Sequence, residues 1–410
     1  MTEIANTPEL RFPNYENSWF SYKLNDISER VTRKNKNLES QRPLTISGQL
    51  GLIDQIEYFN KSVSSKNLTG YILIKKGEFA YNKSYSNGYP LGAIKKLERY
   101  DLGILSSLYI CFSFDENIDK SFMKNYFEST KWYREVANIA VEGARNHGLL
   151  NIPVNDFFNI NINLPIQYEQ EKIGEFFSKL DRQIELEEQK LAKLEEQKKG
   201  YMQKIFSQKI RFKDENGNNY PVWQENKLEN IALKVKTKNF NNEYKETFTN
   251  SAEFGIVSQR DFFDKDISNE KNLTNYYIVE ENDFVYNPRI SNYAPVGPIN
   301  RNKLGRTGIM SPLYTVFKVE NINKLFLEYY FKTSQWHKFM KLNGDSGARS
   351  DRFTIKINIF MQMPIMMPAF EEQEKIGDFF SKIDNFIEKQ SDKVELLKER
   401  KKGFLQKMFV

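Results

Sequence analysis

Gln170–Phe206 reads QEKIGEFFSKLDRQIELEEQKLAKLEEQKKGYMQKIF, and the stretch recurs without a gap as Gln373–Phe409, QEKIGDFFSKIDNFIEKQSDKVELLKERKKGFLQKMF. A long internal repeat constrains the architecture more than any other feature of a chain. In the first copy the apolar positions are Ile173, Phe177, Leu180, Ile184, Leu191 and Leu194; in the second they are Ile376, Phe380, Ile383, Ile387, Val394 and Leu397. Their steps follow the alternating fours and threes of a heptad a/d seam, which predicts two long helices. Polar residues interrupt both seams at matching places, Glu187 with Gln390 and Lys198 with Lys401. A helix of this length spans about 55 Å at 1.5 Å per residue. Separate amphipathic helices on globular cores would carry a wider apolar face than a/d alone. A narrow seam asks for a partner helix, and the matching seam is the other copy. The expectation is a coiled coil.

The repeat continues outside the helices. Lys66–Thr69 matches Lys271–Thr274, GEFAYNKSYSNGYPLGAI (77–94) matches NDFVYNPRISNYAPVGPI (282–299), and Gly143-Ala144-Arg145 matches Gly347-Ala348-Arg349. Trp19 and Trp132 find counterparts in Trp223 and Trp336. The chain thus divides into a globular unit at 1–168, a helix at 169–208, a second unit at 209–368 and a second helix at 369–410. Short apolar runs at Tyr71–Ile74, Leu108–Phe114, Tyr276–Val279 and Tyr314–Val319 read as strands. Lys120–Val136 and Lys324–Met340 read as helices. The fold class is therefore α/β of the mixed α+β kind. Glu169-Gln170 and Glu372-Gln373 open the long helices, with acidic residues suitably placed for the helix dipole. Chain order favours an antiparallel pair with pseudo-two-fold symmetry, in which the end of the second helix lies near Leu10 as the end of the first lies near Ile210. Such a fold is cyclic.

Composition narrows the function classes. The 410 residues carry a formal charge of +6, which permits nucleic-acid binding without requiring it. Cys111 is the single cysteine, so no intramolecular disulfide forms and a cytoplasmic setting is expected. No apolar run is long enough to cross a membrane. With His147 and His337 as the two histidines, a Cys/His zinc site cannot be assembled. Neither a phosphate-binding G-x-x-x-x-G-K-[ST] loop nor a G-x-S-x-G elbow is present. Asn287-Pro288-Arg289 shares only its first two residues with the Asn-Pro-Pro-aromatic motif of adenine methyltransferases, and the first copy has Asn82-Lys83 there. No catalytic, cofactor or metal residues are expected, and the chain reads as a binding module.

The proline-E-Q-x-K-I-G entry to each helix, the F-F-S-K-[LI]-D segments at 176–181 and 379–384, and the K-K-G-[YF]-x-Q-K ends at 198–204 and 401–407 resemble the DNA-specificity subunit of type I restriction–modification systems. The resemblance covers nearly the whole chain. It implies that each globular unit is a target-recognition domain reading one half of a split site in double-stranded DNA, with the coiled coil as spacer. Two methyltransferase subunits carrying S-adenosylmethionine would dock on this scaffold, joined by restriction subunits that use ATP. This chain itself would bind no cofactor and catalyse nothing. A single-chain DNA-modifying enzyme and a scaffold that never touches DNA are the competing readings.

Loops that keep a constant frame around varied polar residues are the candidate DNA contacts, because constant cations suit phosphates and varied neighbours suit bases. In the first unit these are Lys83, Ser84, Tyr85, Asn87, Arg145, Asn146 and His147. In the second they are Arg289, Asn292, Arg349, Ser350 and Asp351. The competing reading of each is an ordinary solvated turn.

Overall fold

The computed structural model describes residues 6–61, 63–86, 88–140, 150–263, 270–346 and 351–410. The chain forms two compact units, one of Met1–Gln189 with Ser391–Val410 and the other of Lys190–Gln390. Each therefore holds the start of one long helix and the end of the other. The helices run Gln167–Phe206 and Phe370–Lys407, 40 and 38 residues. Among the described residues no helix is long and apolar enough to cross a membrane.

The first unit is built on a four-stranded antiparallel sheet, ordered Ser28–Arg30, Ile110–Phe114, Phe79–Asn82 and Ala93–Lys96. Phe79 lies opposite both Lys96 and Phe112. Three antiparallel pairs surround the sheet: Phe20–Lys23 with Asn161–Leu164, Leu44–Ser47 with Gly51–Asp54, and Ile72–Lys75 with Leu102–Leu105. The second unit repeats the plan, with Ala232–Lys234, Thr315–Val319, Phe284–Tyr286 and Ile299–Arg301 in the same order. Antiparallel pairing throughout the described strands makes each unit α+β rather than a doubly wound parallel sheet.

One difference from the sequence reading is instructive. Each expected helix after the central strands is two short ones, Lys120–Glu128 then Tyr133–Ile139, and Lys324–Phe331 then His337–Asn343. The apolar spacing runs through the break, but hydrogen bonds end the first helix. Ser129 Oγ donates to the Tyr126 carbonyl and Thr333 Oγ1 to that of Tyr330. The buried indoles of Trp132 and Trp336 donate to the Phe127 and Phe331 carbonyls. These side chains satisfy carbonyls that a continuing helix would have used.

The long helices pair in opposite directions within each unit. In the first, Phe177 stacks on Phe409, Phe176 meets Phe404, Asp181 pairs with Lys401 at 2.6 Å and Glu187 with Lys393 at 2.8 Å. Residue numbers rise along one helix as they fall along the other. In the second unit Phe380 stacks on Phe206, Phe379 meets Tyr201 and Asp384 pairs with Lys198 at 2.5 Å. The polar breaks at Glu187, Lys198 and Lys401 are thus ion-paired positions. Ile173, Phe177, Ile184, Ile376, Phe380, Val394 and Leu397 are buried, while Leu180, Leu191, Leu194, Ile383 and Ile387 are half-buried. Ile173, Phe177, Ile376 and Phe380 join the globular cores as well as the seam. The Leu10 amide donates to the Lys407 carbonyl at 2.9 Å, and the Ile210 amide to that of Lys204 at 3.2 Å, so both helix ends return to equivalent segments as a cyclic fold requires.

The repeated Glu-Gln-x-Lys-Ile-Gly entry has a physical account. The Glu169 carboxylate, fully buried, accepts two bonds from Arg11 at 2.7 and 2.8 Å. Glu372 does the same for Arg211 at 3.2 and 2.6 Å. Gln170 accepts the Asp119 amide and donates to the Pro165 carbonyl; Gln373 serves Asn323 and Pro368 alike. Asp119 and Asn323 are the N-caps of the helices starting at Lys120 and Lys324. Any Cβ at Gly174 would collide with the Asp119 side chain, and one at Gly377 with Leu325. Glu169 and Glu372 lie in the first turn of their helices, as expected for the dipole, and are also the buried halves of bidentate ion pairs.

Candidate nucleic-acid interface

Strands Phe79–Asn82 and Phe284–Tyr286 lead into loops that the two units build on one frame. Asn82 Oδ1 accepts the Ser84 amide and Asn287 Oδ1 the Arg289 amide, both at 3.0 Å. These Asx turns account for the shared asparagine. Tyr81 Oη donates to the Leu91 carbonyl and Tyr286 Oη to that of Val296. The loops close at Gly92 and Gly297, both at positive φ, where a Cβ would strike the Asn82 or Asn287 carbonyl. At the tip, Ser86 and Tyr89 exchange two backbone bonds, as Ser291 and Ala294 do.

A second loop docks alongside each. In the first unit the Leu150 amide donates to the Lys83 carbonyl at 3.0 Å. In the second, Phe353 donates to Pro288 at 2.7 Å and Ile290 to Asp351 at 2.9 Å, placing Arg289 directly opposite Arg352 in an antiparallel bridge. The structure thus brings together the segments that the sequence separates by about sixty residues. A depression of about 230 Å³ lined by Pro288, Thr315, Arg352 and Thr354 lies beside this pair.

Of the sequence-predicted residues, Tyr85 is 62% exposed, Arg289, Asn292 and Asp351 are exposed, and Lys83 and Ser84 are half-buried. Asn87, Arg145, Asn146, His147, Arg349 and Ser350 lie outside the described residues. Sequence reasoning passed over Arg352 and over Tyr293, the latter 78% exposed at the loop tip. The signal for Tyr293 was available: an aromatic residue inside the polar run Ser291-Asn292-Tyr293-Ala294-Pro295, at a place where the first unit has Gly88.

Different chemistry ties the neighbouring hairpin to each frame. In the first unit Tyr89 Oη donates to the Gly48 carbonyl at 2.6 Å, with the Lys95 ammonium over its ring. In the second an asparagine cluster serves: Asn250 donates to Val285, Asn287 to the Asn250 carbonyl, and Asn300 to Asn250 Oδ1. Rigid frames of this kind hold a loop surface in place without fixing its exposed side chains.

Reactive chemistry is a poor match for the loops. Among the described residues no three His, Cys, Asp or Glu side chains cluster to hold a metal ion. Burial pushes the Cys111 thiol up to about 12, well away from a reactive thiolate. Burial likewise raises Asp283 to about 6, but its carboxylate accepts the Glu280 amide inside a turn.

Residues 3–196 match the type I restriction modification DNA specificity domain. A specificity subunit of the type I restriction enzyme MjaVIII from Methanocaldococcus jannaschii is 25% identical over 321 residues, covering 73% of this chain and 68% of its own. The fold is similar to that of the S subunit of a type I restriction–modification system from M. genitalium (TM-score 0.54, 15% identity, 98% of this chain and 99% of that one). It is also similar to a chain from a structure of type I restriction–modification complex assembly and conformational transition (TM-score 0.54, 17% identity, 96% and 99%). In its matched domain and its duplicated helix-entry motif the chain is similar to type I restriction–modification DNA-specificity subunits.

Proposed function

We propose that the chain is the DNA-recognition subunit of a type I restriction–modification complex, each unit reading one half of a split site. The observation that carries this is the duplicated frame: two loops docked side by side in each unit, alike in backbone and different in exposed side chains. Base edges are read by such side chains, while the frame sets their register. The division at 1–168, 169–208, 209–368 and 369–410 is the functional one, with recognition domains alternating with spacer helices. The helix pair sets the separation of the half-sites. Two methyltransferase subunits dock on the scaffold and bring S-adenosylmethionine; restriction subunits bring ATP-driven translocation and cleavage. This subunit binds no cofactor and catalyses nothing, and the complex works in the cytoplasm.

The test is selection from a pool of random duplexes by the chain assembled with its methyltransferase. Two short conserved blocks separated by a fixed, unconserved gap are expected. A single continuous block, or retention without sequence preference, would refute the proposal.

A further inference from the structure

Arg289 and Arg352 form a pair that the fold itself does not explain. They face one another across an antiparallel bridge whose flanking bonds run from Phe353 to Pro288 and from Ile290 to Asp351. That pattern is the closely spaced, non-hydrogen-bonded kind, in which opposite side chains share a face with Cβ atoms roughly 4.5–5.5 Å apart. Like charges in this position repel. Both arginines are exposed, and neither has a carboxylate partner among the described residues. Three other arginines of this unit differ, since Arg211, Arg301 and Arg306 each pair with a glutamate at 2.6–2.7 Å. Asp351, the nearest acid in sequence, is the next residue along the strand and so projects to the opposite face. In the first unit Ser84 stands at the position of Arg289.

We infer that Arg289 and Arg352 are a clamp for a phosphodiester of the DNA backbone, carried by the second unit and absent from the first, where Ser84 stands at the place of Arg289 and the run 146–151 holds no arginine or lysine. Two guanidinium groups side by side match a phosphate, whose oxygens accept several charge-assisted bonds at once and cancel the repulsion between the cations. Backbone bonds hold the strands together, so the side chains are free to serve the ligand. The clamp fixes register and adds affinity without reading sequence. The inference rests on the DNA-recognition reading above.

The experiment measures binding of the full chain to a mixed-sequence duplex as salt is raised, for the wild type, R289Q, R352Q and the double variant. R182Q, at an exposed helix arginine paired with Glu185, is the control. Each phosphate neutralised by the protein contributes about 0.9 to the slope of log K against log salt. The double variant is expected to have a slope shallower by about 0.9, with equal weakening on unrelated duplexes, while R182Q keeps the wild-type slope. Wild-type slope in the double variant, with the wild type itself binding, overturns the clamp alone. No salt-dependent binding by the wild type overturns the recognition reading and the clamp with it.

Discussion

The entry to each long helix and the loop pair on each unit are both duplicated, yet they diverge to opposite degrees. At the helix entry the two copies keep the same residues making the same bonds: Arg11 with Glu169 and Arg211 with Glu372, Gln170 and Gln373 on the cap of a neighbouring helix, Gly174 and Gly377 beneath it. In the loop pair the frame is kept, but Ser84 stands against Arg289, and Gly88 against Tyr293. Buried charge and close packing leave no room for substitution at the first site. Exposed side chains on a rigid loop can change at almost no cost in stability, so the second site is free to vary.

A third site lies between these extremes. Lys124 in the first unit pairs with Glu98 at 2.9 Å and Asp181 at 3.1 Å. At the matching position the second unit has Glu328, held by Arg301, Lys303 and Lys332. Glu98 corresponds to Lys303 and Glu128 to Lys332, so three charges have reversed together. Glu98 with Lys124 and Lys303 with Glu328 are the same pair with the signs exchanged, whereas Glu128 pairs with Lys95 and its counterpart Lys332 with Glu328.

The comparison breaks most visibly at the helix entry. Glu169→Ala leaves Arg11 with an uncompensated charge in a largely buried place and should cost its unit about 3–5 kcal/mol; Glu372→Ala should do the same in the other. Native-state hydrogen exchange would report it, with protection lost in the unit that carries the change. Equal loss in both units would show that the pairs are not local clamps.

Next in size is Glu328. Burial alone would raise its carboxyl, but Lys332, Lys303 and Arg301 outweigh burial and hold it down from the usual 4.5 to about 2. Because the folded value is depressed, the stabilisation is present above the unfolded value and fades as pH falls through the folded one. It amounts to about 3 kcal/mol above pH 4.5 and disappears toward pH 2. Glu328→Gln should remove that segment of the stability–pH curve. An unchanged curve between pH 5 and 2 would remove the network from the account.

The reversed charges predict a smaller, rescuable effect. Lys124→Glu should cost about 1–2 kcal/mol, since the site is only partly buried and solvent screens it. Adding E98K, E128K and K95N recreates the second unit's arrangement, because Lys95 pairs with Glu128 and the second unit has Asn300 in its place, and should recover most of the loss by a multiple-mutant cycle. Independent, additive losses would mean that the reversal is not compensated.

Smallest in stability is Tyr293→Gly, expected within about 0.5 kcal/mol because the ring is exposed at a loop tip. Its effect belongs to recognition: preference should change in one half-site only. A stability loss above about 2 kcal/mol would show that the ring has a structural role.

The sequence made the long helices legible because heptad spacing repeats over many turns and was present twice. Division into two like units followed from the same duplication. The role of Glu169 was hidden because its partner Arg11 lies 158 residues away, and periodicity carries no information about such pairing. Trp132 and Trp336 hid the helix breaks: their apolar spacing continues the helical pattern while their indoles end it. Arg289 was readable as a cation in a variable loop. Arg352 was not, because its place opposite Arg289 depends on a bridge register set by two backbone bonds.

The proposed function requires that two units of one frame read two half-sites independently. Exchanging residues 20–165 for the matching unit of a relative, then mapping methylated sites on genomic DNA, tests it most directly. One half of the recognised site should change, with the other half and the gap retained. Changes in both halves would contradict the account.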